Sequence, residues 1–168
     1  MATTLTVANP AMVEPHDVVM ATTDEHAVLN GQSWKKGQFL FLDANARLKA
    51  CASDADASTG GIKFLALNNQ DDPGANDTDY PEVGIITDEM VFEINELDGT
   101  VATANIGVAY GIDVTSNVVT IDVGDTSNPA LQIVSLGFNR NPVLYKSDDI
   151  KAKVYAKVIP AVVNAANA

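Results

Sequence analysis

The chain has 168 residues and a formal net charge of −12, and 46% of it is hydrophobic but only 6% aromatic. That is the composition of one globular domain with a sizeable core, and so large an excess of acids repels phosphate, which argues against a nucleic-acid partner. No run of about 18 apolar residues suggests a membrane span, MATTLTVANP lacks the basic and apolar regions of a secretory signal, and a single cysteine, Cys51, precludes an intrachain disulfide.

In chain order, residues 1–20 carry two prolines and scattered β-tolerant residues (Leu5, Val7, Val13, Val18, Val19), and read as an extended arm. A polar link with a short strand around His26–Leu29 leads into a predicted hairpin. Its strands are Phe39–Leu42 and Arg47–Cys51, and its turn is Asp43–Ala46. SDADASTGG reads as a Ser/Ala-rich link, and Ile62–Leu67 as a buried strand. Asn68–Tyr80 is a loop by its Asn, Asp, Pro and Gly content. Strands are predicted at Val83–Ile86 and Met90–Asn95, with a turn pair at Asp98-Gly99.

GVAYGIDVTSNVVTID follows, two β-rich runs around Thr115-Ser116-Asn117. Ile106, Val108, Tyr110, Ile112 and Val114 fall on one side of its first strand. Gly107, Ala109, Gly111 and Asp113 fall on the other, because successive strand side chains point to opposite faces. A face so bare permits sharp coiling, close backbone approach or packing against another chain. Gly107, Ala109 and Gly111 are therefore candidate subunit contacts. Predicted strands at Ala130–Leu136 and Ile150–Ile159 complete the chain.

About nine or ten strands at roughly 8–12-residue spacing predict an all-β fold, a small barrel or sandwich-like barrel. The expected division is an N-terminal arm 1–20, a barrel domain 21–160 and a C-terminal tail 161–168. The best helical candidate is one turn near Ser147–Ile150.

Catalytic chemistry is hard to find. His16 and His26 with one cysteine do not match zinc-ligand spacing, and His16-Asp17 lacks a nucleophile elbow to complete a triad. Asp71, Asp72, Asn76, Asp77 and Asp79 could wrap a hard cation, but EF-hand spacing is missing and a solvated loop is the better reading. Asp54 and Asp56 sit in a link with nothing evident to bury them, as perturbed catalytic carboxylates require. No catalytic residue, metal or cofactor is expected.

Charge is uneven along the chain. Asp43 to Gly99 holds thirteen acids against three basic residues, while Phe138 to the end holds five basic residues against two acids. In IKAKVYAKVI, Lys151, Lys153, Tyr155 and Lys157 share one predicted strand face. Two readings stand side by side: an edge strand whose lysines discourage sheet extension, or a basic stripe set against an acidic partner. Trp34 and Tyr155 are candidate anchors in such a contact. The uncharged side chains of PAVVNAANA suit either a disordered tail or a strand docked on another sheet.

The succession GQFLFLDANARLKA, GIKFLALNNQDD, EVGIITDEMVFEIN and IGVAYGIDVTSNVVTID resembles head-decoration (capsid cement) proteins of tailed bacteriophages over about residues 34–160. The resemblance lies in layout. It implies a small β-barrel on the outer surface of the virion, made in the host cytoplasm and bound to the major capsid protein. It also implies a homo-oligomer, a trimer ahead of a dimer, with terminal arms reaching the shell or a neighbour. Two alternatives stay open: a receptor- or carbohydrate-binding virion module, and a trimeric β-barrel enzyme with an intersubunit site.

Overall fold

The computed structural model describes residues 4–14, 20–97 and 99–165. The expectations placed on His16, Asp17, Val18, Val19, Asp98 and the last three residues lie outside them, as does the side chain of Asp54. The described strands are β1 (Ala11–Glu14), β2 (Thr22–Thr23), β3 (Phe39–Leu42), β4 (Leu48–Ala50), β5 (Phe64–Ala66) and β6 (Val83–Ile85). Then come β7 (Val91–Asn95), β8 (Ala109–Thr115), β9 (Val118–Asp122), β10 (Leu131–Leu136) and β11 (Lys153–Val158). They form a six-stranded sheet ordered β1-β7-β11-β10-β8-β9 and a five-stranded sheet ordered β2-β6-β5-β3-β4, with all ladders antiparallel.

The fold is mostly β, but no barrel closes. The six-stranded sheet curls until Glu96, just past β7, bridges Ile121 of β9, and the Leu97 N–H donates to the Ile121 carbonyl at 2.9 Å. That single bridge is the only ladder-like contact between these elements among the described residues, so the sheet remains open.

The apolar run Phe39–Leu42 is explained by burial on both faces. Phe39 and Phe41 enter the main core, while Leu40 and Leu42 enter a second cluster with Val28, Trp34, Leu48 and Phe64. Phe39 meets Phe92 of β7 edge-on, with centroids 5.4 Å apart at 82°, and this contact joins the two sheets. Within the five-stranded sheet, Asp43 holds the turn to β4: its Oδ1 accepts the Asn45 and Arg47 N–H groups, and its Oδ2 pairs with the Arg47 guanidinium at 2.7 Å. The β8–β9 hairpin turns at Ser116 and Asn117, with φ of 54° and 61°. Two left-handed residues match the twist of the flanking strands.

Among the described residues three short α-helices, α1 (Asp54–Gly60), α2 (Gly137–Arg140) and α3 (Pro160–Val163), and a 3-10 turn at Thr103–Asn105 replace the one expected turn. The stretch 147–150 is a turn followed by a single bridge, not a helix. Helix α1 lies in the supposed Ser/Ala-rich link. Ser53 caps it by accepting the Asp56 N–H at 3.2 Å, and Ala57 is buried in the main core. Seven residues are too few for a readable helical period.

Both described termini lie along the body. Thr4 bridges Ile150, Leu5 N–H donates to the Ile150 carbonyl at 2.9 Å, and Asn9 ties Lys36, Asn117 and Val119 together. Residues 4–14 thus run against the sheet instead of projecting from it. At the other end, the described residues 160–165 are docked and form no strand: Val162 of α3 is buried in the main core, and Lys63 Nζ donates to the carbonyls of Val163, at 2.8 Å, and Ala165. Burial holds the Lys63 ammonium below its ordinary pKa.

Gly61 makes this docking close. Its φ is +80°, and a Cβ there would collide with the Val162 carbonyl oxygen. Gly61→Ala should cost about 1–3 kcal/mol through left-handed strain and displacement of α3. Urea unfolding checks this, and an unchanged midpoint would remove Gly61 as the constraint.

Candidate functional site

The lysine-bearing strand is not an edge. β11 lies between β7 and β10 and pairs along both sides, so protection against sheet extension cannot explain its lysines. Val154, Ala156 and Val158 face the main core, leaving Lys153, Tyr155 and Lys157 on the outer face. Register then fixes their neighbours. Tyr155 stands between Glu93 of β7 and Ser135 of β10, and Lys157 between Val91 and Gln132. Gln132 in turn pairs with Ala109 of β8. The fold thus brings Lys157 and Ala109, read from the sequence as separate candidates, into one row across three strands.

Glu93 is the centre of the first row. Its carboxylate accepts from Lys153 Nζ at 2.5 Å, from Tyr155 Oη at 3.2 Å and from Tyr145 Oη at 3.4 Å. The Arg140 guanidinium lies 4.7 Å from the centre of the Tyr155 ring, and Lys153 Nζ 5.6 Å from that of Tyr145. Burial lowers the Lys153 pKa, but the hydrogen bond and charge of Glu93 outweigh it and hold the ammonium above its usual value. Burial and then the Glu93 charge raise the Tyr155 phenol. The cluster is an internal brace. It fastens α2 and the following loop to the sheet.

Tyr155 is therefore buried under Arg140, at 8% exposure, and is not an open anchor. Trp34 is still less available, 2% exposed in the second cluster, with its backbone paired to Gln70. Lys151 lies outside the strand, with φ of 58° and its N–H donated to the Gly99 carbonyl at 2.9 Å. It lines a cleft of about 240 Å³ with Val7, Leu97, Asp113 and Thr120, to which Lys153, Tyr155 and Lys157 do not contribute. A left-handed residue breaks strand alternation, which is why Lys151 leaves the predicted face.

The three small residues also separate. Gly111 is covered by its own chain: the Asp125 carbonyl accepts its N–H at 2.9 Å, and a Cβ would meet the Asp125 carboxylate at 2.8 Å. Gly107, at φ +84°, faces open space; its N–H donates to the Ile133 carbonyl and its carbonyl accepts from Gln132 Nε2, both at 2.8 Å. Beside it Ile106 and Val108 are 37% and 38% exposed. Ala109, Gln132 and Lys157 lie in one row of the outer face, Ile106 and Val108 are part-exposed just ahead of β8, and Lys157 has no ion-pair partner among the described residues.

Elsewhere the side chains serve structure. His26 packs on Phe64 at 5.4 Å, and its Nδ1 lies 3.1 Å from the Ala46 carbonyl. In the acidic loop, Asp72 accepts the N–H groups of Gly31 and Gly74, and Asn76 that of Asn30. Among the described residues no three His, Cys, Asp or Glu side chains converge as metal ligands, and no helix is long and apolar enough to cross a membrane.

Glu93, Arg140 and Tyr145 were not singled out from sequence. Glu93 had a usable signal, as the one charge within MVFEIN, because a carboxylate amid buried strand residues needs partners. Arg140 and Tyr145 had none, since their roles depend on where α2 folds back. No protein-family model matches the chain, and neither a curated protein nor a solved structure matches it.

Proposed function

We propose that the chain is a structural protein that binds the outer surface of an assembled bacteriophage head and stabilises it by bridging subunits of the major capsid protein. The observation that carries this reading is the row of Ala109, Gln132 and Lys157 on the outer face of the sheet, with the part-exposed Ile106 and Val108 just ahead of β8. It sits on a braced sheet, so little ordering is required when it docks. Apolar contacts flanked by an unpaired lysine suit an acidic, partly apolar protein surface. The layout shared with capsid cement proteins supplies the identity of that surface.

Binding the assembled shell and not its free subunits stabilises the shell by mass action, by about 2.7 kcal/mol per site at a hundredfold excess over Kd. Many sites would sum to a large resistance to internal pressure. The test mixes purified protein with undecorated heads and compares the temperature at which they rupture. Saturating protein should raise that temperature, and equal rupture points would remove stabilisation as the function. Lys157→Glu combined with Val108→Asp should weaken shell binding at least about tenfold, with the lysine acting mainly on association rate. Full binding by this variant, folded as judged by its melt, would move the contact elsewhere.

A further inference from the structure

We propose that Asn30 is a self-modification site, deamidated by attack of the following backbone nitrogen, and that the acidic loop 68–80 restrains the reaction by holding that nitrogen's N–H. Asn30-Gly31 is the only Asn-Gly pair in the sequence. The two residues sit in an exposed turn. Gln32 N–H donates to the Leu29 carbonyl at 3.2 Å, and Gly31 has φ of +81°, the left-handed value that a type II turn needs at its third residue. Glycine has no Cβ to shield the nitrogen, and nothing lies within 4 Å of the place one would take. The Asn30 carboxamide has no hydrogen-bond partner among the described residues. The electrophile is therefore free, and water reaches it.

The nucleophile is held. Gly31 N–H donates to Asp72 Oδ1 at 2.8 Å, and Asn30 N–H donates to Asn76 Oδ1 at 2.8 Å. These bonds belong to a longer seam. Val28 N–H donates to the Asp79 carbonyl at 2.8 Å, and Trp34 and Gln70 each donate an N–H to the other's carbonyl at 3.0 Å. The loop thus runs antiparallel along 28–34 and fixes the backbone on both sides of the Asn30–Gly31 peptide bond. Asp72 is a restraint and not a base. The N–H groups of Gly74 and Gly31 hold its carboxyl below its usual pKa, and so weak a base does not take an amide proton. The Gly31 nitrogen must leave Asp72 before it can turn on the Asn30 side chain.

The reaction needs only water. The Gly31 nitrogen gives its proton to solvent and bonds to Asn30 Cγ. The Cγ–Nδ2 bond breaks, and ammonia leaves with a proton taken from solvent. Water then opens the cyclic imide at either carbonyl, leaving aspartate or isoaspartate. The net change is water consumed and ammonia released. Isoaspartate routes the main chain through the former side chain, which carries the Gly31 N–H away from Asp72. Either product adds a negative charge near Asp72, so the change loosens the seam.

The test follows deamidation at Asn30 by peptide mass mapping of the full chain in mildly alkaline buffer, without any shell, so its outcome does not depend on capsid binding. Folded wild type should react slowly, and protein unfolded in urea at least about tenfold faster, since the seam is then lost. Asp72→Ala, folded as judged by its thermal melt, should react at least about fivefold faster than wild type. Gly61→Ala, which strains the chain under α3 but leaves the seam intact, should react as slowly as wild type, separating local restraint from general loss of stability. If Asp72→Ala does not fold, Asn76→Ala takes its place, because it frees the Asn30 N–H, and the same acceleration is expected. No reaction at Asn30 even in urea would remove the site. A folded wild type as fast as the unfolded chain, an Asp72→Ala protein no faster than wild type, or equal acceleration by Gly61→Ala would overturn the restraint.

Discussion

Replacing Phe92 with alanine is expected to lower the free energy of unfolding by about 3–5 kcal/mol, the usual cost of deleting a fully buried phenylalanine. Phe92 is 0% exposed and meets Phe39 across the two sheets. The cavity would open where the six-stranded sheet is joined to the five-stranded one, and β3 is packed on both faces there, so little can collapse into it. Trp34, buried in the second cluster, gives an optical probe on the far side of β3. In urea, Trp34 fluorescence and far-UV circular dichroism should shift together, showing that loss of one contact destabilises both sheets as a unit. Tyr80→Ala, at a site 52% exposed, should stay within about 0.5 kcal/mol of wild type. A Trp34 transition that holds its midpoint in Phe92→Ala would mean that the sheets unfold independently.

Glu93→Gln is expected to act on stability, on alkaline pH dependence and on the loop that bears Val143 and Leu144. At neutral pH the loss should be about 1–3 kcal/mol, since a half-buried lysine and two tyrosine hydroxyls lose a charged acceptor. The pH dependence follows from linkage. Lys153 has its folded pKa above the ordinary 10.5, so its contribution is full below that value and fades as pH rises through the folded pKa. Tyr155 has its folded pKa above 10.0, so the folded state also holds that proton more tightly, and its contribution fades in the same direction. Wild-type stability should therefore fall from about pH 10 upward, and Glu93→Gln should flatten that decline. Hydrogen exchange at Val143–Tyr145 should quicken in the variant as the brace loosens. Parallel alkaline curves for the two proteins would show that Glu93 does not control these groups.

The sequence by itself determined what depends on near neighbours. Period-two alternation placed Lys151, Lys153, Tyr155 and Lys157 on one face of a strand, which holds for all but Lys151, and the polar centre Thr115-Ser116-Asn117 marked a hairpin. The acid-rich run Asn68–Tyr80 could only be a loop. The all-β character was legible for the same reason, in short β-rich runs separated by turn residues.

Only the tertiary structure decided what depends on partners distant in the chain. Whether the lysine strand lies at an edge or at the centre is settled by β7, which pairs Glu93 with Tyr155 across 62 residues. Nothing in IKAKVYAKVI encodes that neighbour. The same reason took Trp34 into a core: its fate depends on β3, β4 and the bridge to Gln70, not on its own polar surroundings in the sequence. It also left the barrel open, because closure depends on how far a curled sheet carries β9 toward β7, where one bridge at Glu96 is all that forms among the described residues. Local alternation assigns a side chain to a face. What covers that face is set by long-range packing, whose energy is collected only when the whole chain has folded.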